Sequence, residues 1–173
     1  MINKIANIVL VGPMGSGKTS VGRRLACVLK RDFFDSDFEI VARTGVSIDH
    51  IFDVEGEEGF RQRETSMLSE LCDISNIVIA TGGGIVIKAE NRALLKNNSF
   101  VVYLASSVEQ LVMRTARSKS RPLLEKSTNR EQTIRDILEV REPLYQEVAD
   151  VVIDTTGKKL YAIINEIKKS IPQ

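Results

Sequence analysis

Short apolar runs separated by stretches of helical period organise this chain. Ile8–Val11 is apolar throughout and reads as a buried strand, and the segment after it puts Val21, Leu25, Val28 and Leu29 on one helical face. Phe33–Phe34 ahead of Asp35 predicts a second short strand. Ser47 suits an N-cap for a helix carrying Ile48, Ile51 and Phe52 at i, i+3 and i+4, and Glu57–Cys72 predicts a longer helix with Phe60, Met67, Leu68 and Leu71 facing inward. Asn76–Thr81 is a third strand, stopped abruptly by Gly82-Gly83-Gly84. A helix over Ala89–Asn97, a strand over Phe100–Ala105 and a helix over Val108–Arg117 follow. Ser118–Asn129 is polar, basic and broken by Pro122, as suits a mobile loop. Glu131–Ala149 has helical period, with Pro143 expected to kink or interrupt it. Asp150–Asp154 gives a fifth strand, and Leu160, Ile163, Ile164 and Ile167 mark a last amphipathic helix.

Strands that alternate with helices, and that are apolar along their whole length, imply an α/β fold with a five-stranded, mostly parallel sheet covered on both faces. Ligands of such sheets sit beyond the carboxyl ends of the strands, so the residues just after each strand are the candidates for chemistry. With 173 residues, no repeat and no Pro/Gly/Ser-rich linker, a single domain is expected. Lys and Arg number 24 against 23 Asp and Glu, a net charge of +1, which supplies no basic field for nucleic acid. The apolar runs fall far short of the ~20 residues of a membrane helix, and Asn7 and Gly12 cut the first run too short for a secretory signal. Cys27 and Cys72 are expected to be buried, reduced thiols of a cytoplasmic protein. The single His50 argues against protein-ligated zinc or iron.

Gly12-Pro13-Met14-Gly15-Ser16-Gly17-Lys18-Thr19 matches G-x-x-x-x-G-K-[ST] after a strand and at the start of a helix. Glycines let backbone N–H groups curl around phosphate oxygens, and the helix N-terminus adds partial positive charge. Lys18 can reach the β/γ-phosphates and the Thr19 hydroxyl can ligate Mg²⁺. No Asn/Thr-Lys-x-Asp motif marks a GTPase, and His-Arg-Asp and Asp-Phe-Gly of protein kinases are missing. The third and fourth strands end without the aspartate that usually helps hold Mg²⁺, which disfavours a motor or switch ATPase.

Other carboxylates must then serve the metal and the nucleophile. Asp35-Ser36-Asp37 closes the second strand, and in an extended segment both carboxylates would face the phosphate loop. A helix N-cap with solvated charge is the alternative. Arg61 and Glu64, three apart on a helix, form either part of a site or a surface ion pair. Gly82-Gly83-Gly84 after a strand suits a ligand that approaches the backbone closely, or simply a tight turn. Arg114, Arg117 and Arg121, with Lys119 and Lys126, surround the polar loop. They make either a solvated face or a lid that carries an arginine to the transferred phosphoryl group. Arg141, two residues before Pro143, is a candidate partner for a small-molecule carboxylate.

Taken together, Gly12–Thr19, Asp35-Ser36-Asp37, Gly56–Glu64, Thr81–Gly84, Arg121-Pro122-Leu123-Leu124 and Arg141–Tyr145 resemble the shikimate kinase family over essentially the whole chain. The resemblance implies a three-layer P-loop kinase sandwich of nucleoside-monophosphate-kinase type, with a helical shikimate-binding insert over about 36–64 and a lid over about 115–129. It implies transfer of the ATP γ-phosphoryl to the 3-hydroxyl of shikimate, with Mg²⁺, by a cytoplasmic monomer. The matching positions make Asp37, Arg61, Gly82, Gly83 and Arg141 substrate-binding. Gly15, Ser16, Gly17, Lys18, Thr19 and Ser20 cradle the ATP phosphates. Arg114 stacks on adenine, Lys158 lies near its second contact, and Arg121 is the lid arginine. Lys18, Asp37 and Arg121 then carry the chemistry, and Thr19 and Asp35 hold the metal. Two rivals stand beside this: a gluconate kinase-like enzyme, and an ATP-binding regulatory module without catalysis.

Overall fold

Strands that are apolar on both faces need cover on both faces, and the chain supplies it with helices. The computed structural model describes residues 7–117 and 128–172. In order these hold β1 (Asn7–Val11), α1 (Lys18–Leu29), β2 (Asp32–Asp35), α2 (Ser36–Thr44), α3 (Ile48–Asp73), β3 (Ile77–Ala80) and α4 (Ala89–Asn98). β4 (Ser99–Ala105), α5 (Val108–Thr115), α6 (Arg130–Val148), β5 (Val151–Asp154) and α7 (Leu160–Ser170) complete them. Most of the basic loop expected as a lid, Arg121 included, lies outside the described residues.

The sheet runs β2-β3-β1-β4-β5 and every neighbouring pair is parallel, so the sheet is wholly rather than mostly parallel. Val9, Val11, Ile77, Ile79, Val101 and Tyr103 meet α2, α3, α4 and α6 on one face. Ile8, Leu10, Val78, Val102, Leu104 and Ile153 meet α1 and α7 on the other. Strict alternation of these side chains builds two cores from one set of strands. Leu10 and Asp35 both pair with Ala80, so β1, β2 and β3 end level with one another. The loops leaving these three ends therefore share one rim of the sheet.

Local geometry departs from expectation in four places. Asp35-Ser36-Asp37 is not extended: β2 stops at Asp35, whose carboxylate caps α2 by accepting from the Asp37 and Phe38 N–H groups. An aspartate ahead of a helix finds more hydrogen bonds as a cap than in a strand. α6 runs on through Pro143 because Arg141, Tyr145 and Val148 are buried along it, and that packing outweighs the lost backbone bond. The α1 stripe is narrower than expected, with Val21, Leu25 and Ala26 buried but Val28 exposed and Cys27 exposed beside it. The helix after β4 stops at Thr115, short of Arg117. The two helical stretches expected around Gly56 are present, joined where its φ of 71° lets the chain turn without strain.

Candidate active site

The phosphate loop is built from backbone first. Gly15 and Gly17 hold φ of 84° and 92°, a region that favours glycine, and they curl the chain from β1 into α1. Gly17 is the N-cap of α1 and no side chain caps it, which leaves the helix N-terminus facing the loop. The Lys18 ammonium is buried in the loop, donating to the Gly12 and Pro13 carbonyls at 2.7 and 2.9 Å. Across the mouth, Arg114 of α5 reaches the Gly15 carbonyl at 3.2 Å. Thr19 donates its hydroxyl to Asp35 Oδ2 at 2.7 Å, so the first turn of α1 and the end of β2 meet. Those two hard oxygen donors fit Mg²⁺, which takes oxygen ligands and keeps much of its water.

Beside this loop the Gly82–Gly84 triplet is packed against four charged side chains. A Cβ on Gly82 would lie 2.8 Å from Asp37 Oδ1 and 3.0 Å from Glu64 Oε2. One on Gly83 would lie 3.5 Å from an Arg141 guanidinium nitrogen, 3.4 Å from Met14 N and 3.6 Å from Gly12 O. One on Gly84 would fall 2.6 Å from Arg61 Cζ, inside its guanidinium. The triplet is thus no mere tight turn: each glycine makes room for a functional group. Gly83 in particular stands between the phosphate loop and Arg141.

Arg61 and Glu64 form a buried ion pair of 2.8 Å, with side chains only 7% and 1% exposed, rather than a surface one. Arg61 Nε, Glu64 Oε2 and Asp37 Oδ1 are buried with no hydrogen-bond partner among the described residues. Groups left so cost stability and mark a place made for something else. Burial, then the neighbouring carboxylates of Glu64 and Asp35, push the Asp37 carboxyl up to about 7, while Lys18 and Arg61 pull it back. Burial also raises Glu64, against the opposing pull of Arg61 and Arg141.

These shifts have a consequence for stability. The Asp37 carboxyl, raised to about 7, still holds a proton where the unfolded carboxyl, near 3.8, has lost it. Its contribution is therefore fully present below the unfolded value and is lost as pH rises through the folded one. Asp37→Asn cannot ionise and is expected to abolish that fall, a relative gain of up to about 4 kcal/mol above pH 7 in the ligand-free protein. Urea unfolding of both proteins at pH 5 and pH 8 measures it. Equal losses of stability in the two would show that Asp37 is not a raised carboxyl.

The structure brings Lys18, Thr19, Asp35, Asp37, Arg61, Gly82, Gly83 and Arg141 to one rim, with Gly15, Ser16, Gly17 and Ser20 in the phosphate loop and its helix. The Lys158 ammonium lies 2.9 Å from Glu166 on α7, and its loop touches α5 through Gly157 and Gln110. The sequence offered Glu64 only as the partner of Arg61 and Tyr145 only as the end of a motif, with no separate role for either. The i, i+3 spacing from Arg61 and the i, i+4 spacing from Arg141 were the available signals. A cavity of about 370 Å³ between α2 and α3, lined by Ile40, Arg43, Gln62 and Met67 among others, shares no lining residue with this rim.

The family profile described as shikimate kinase matches residues 14–172. A shikimate kinase of Chromohalobacter salexigens is 53% identical over 163 residues, covering 94% of this chain and 90% of the relative. The solved shikimate kinase from Acinetobacter baumannii in complex with shikimate is 50% identical, with a TM-score of 0.92 over 95% of this chain and 92% of that one. A gluconokinase from Sinorhizobium meliloti shares the fold, with a TM-score of 0.61 over 97% of this chain and 92% of that one, at 20% identity.

Proposed function

This chain belongs to the shikimate kinase family, and on that footing we propose that it transfers the γ-phosphoryl group of ATP to the 3-hydroxyl of shikimate. The observation that carries the reading is the position of Gly83, where an added Cβ would meet both the phosphate loop and Arg141. A small hydroxy acid held by that arginine has its ring beside the ATP phosphates. Phosphoryl transfer asks chiefly for such positioning and for charge stabilisation.

The roles then follow from chemistry. Arg61 and Arg141 bind the substrate carboxylate, with the Gly83 N–H beside them. Asp37, unpartnered at Oδ1 and facing Gly82, accepts the hydrogen bond of the hydroxyl and takes its proton as the oxygen attacks. Lys18 moves from its own loop carbonyls to the β/γ-phosphate oxygens as nucleotide binds. Thr19 and Asp35 would hold Mg²⁺, which when bound offsets phosphate charge. Gly15–Ser20 cradles the phosphates, Arg114 stacks on the adenine from the far side of the loop, and Arg121 acts from the lid. A monomer in the cytoplasm is what the family resemblance implies. Among the described residues no helix is long and apolar enough to cross a membrane.

Shikimate-dependent release of ADP by the purified protein tests the reading, with gluconate run alongside. Release with gluconate and none with shikimate would overturn it, as would binding of ATP with no turnover of either acid. Arg141→Lys keeps the charge but loses the planar fork that matches a carboxylate. Its KM for shikimate is expected to rise about tenfold while that for ATP holds. A matching rise for ATP would remove Arg141 from the acid site.

A further inference from the structure

Tyr145 lies on the same face of α6 as Arg141, four residues later, and is fully buried. Its ring stacks on Tyr103 with centroids 5.1 Å apart, and its hydroxyl donates to the Gly83 carbonyl. The other two carbonyls of the triplet are also taken. Gly82 O accepts from Ile85 N at 3.2 Å and Gly84 O accepts from Ile87 N at 3.1 Å. A trans peptide turns its N–H opposite to its C=O, so fixing these carbonyls also fixes where the amides of Gly83 and Gly84 point. Neither amide donates within the described residues. The Gly82 and Gly84 carbonyls are held by their own turn. The Gly83–Gly84 peptide, and with it the Gly84 amide, is held from outside, by Tyr145.

We propose that Tyr145 is a positioning residue for shikimate recognition: its hydroxyl pins the Gly83 carbonyl, and so sets the glycine loop at the distance from Arg141 that a carboxylate fits. One helix thereby supplies both the guanidinium and the clamp on the backbone opposite it. Burial holds the Tyr145 hydroxyl up at about 12 against the opposing pull of the neighbouring Arg141 guanidinium, so it remains a donor throughout the working pH range. Tyr103 is a built-in comparison. It shares the stack, but its hydroxyl donates to Glu142 at 3.4 Å and does not touch the glycine loop.

This inference rests on the shikimate reading, and steady-state kinetics on three proteins separates the two. Tyr145→Phe keeps the ring and its stack while deleting the pin. Its KM for shikimate is expected to rise about five- to tenfold, with KM for ATP and kcat within about twofold of wild type. Tyr103→Phe, which removes a hydroxyl from the same stack, is expected to leave both KM values unchanged. An unchanged shikimate KM in Tyr145→Phe beside an active wild type overturns the pin and leaves the function standing. So does an equal rise in both variants, a rise for both substrates, or a lost melting transition in Tyr145→Phe, each of which makes the hydroxyl a structural group. A wild type without shikimate-dependent turnover overturns the function and the pin with it.

Discussion

Lys18→Ala is expected to lower turnover by at least about 10²-fold, the scale of deleting one preorganised donor from a transition state. The ammonium is already aimed into the phosphate loop, 2.7 and 2.9 Å from two of its carbonyls. Its replacement leaves a cradle of N–H groups with no full positive charge to meet the phosphoryl oxygens as charge moves onto them. The fold should not suffer in proportion, because Lys18 belongs to neither of the two large apolar clusters that flank the sheet. Turnover and circular dichroism on the same preparation check both halves. A native spectrum with native turnover would remove Lys18 from the chemistry.

Asp37→Asn is expected to cost about 10²–10³-fold in turnover while changing the KM for shikimate far less, as loss of a general base does. The amide retains the size and still hydrogen-bonds, but accepts no proton near neutral pH. The pH dependence carries the sign. With its carboxyl pushed up to about 7, wild-type kcat/KM for shikimate rises as pH climbs from 6 to 8 and the base ionises. The variant lacks that rising limb. Normal turnover with weaker shikimate binding would instead make Asp37 a positioning group, and an unchanged limb would assign it to another residue.

How much of this could be read from residues alone depends on the range of the interactions. The phosphate loop is local: eight consecutive residues carry its glycines, its lysine and its threonine, and the structure puts them where the motif says. The aspartates after β2 were legible as a pair but not in their conformation. The balance between cap and strand turned on two backbone N–H groups and on Thr19, sixteen positions earlier. Pro143 misled because propensity is judged one segment at a time, whereas the burial of Tyr145 and Val148 acts on the whole helix.

Hydrophobic periodicity was enough to establish five strands alternating with helices, covered on both faces, and the order of motifs was enough to establish the family. Both are properties of neighbours along the chain, where spacing translates directly into which side a residue faces. The arrangement of charge is of another kind. That Arg61 and Glu64 pair in the core rather than at the surface follows from the packing of α3. Packing between elements likewise sets the stacking of three successive glycines on Asp37, Arg141 and Arg61, and the hydroxyl of Tyr145 on a carbonyl 62 residues away. Level strand ends bring those segments together, and desolvation there raises Asp37 toward neutrality. Burial and long-range contact are set by the packed fold as a whole, so only the tertiary structure decided them.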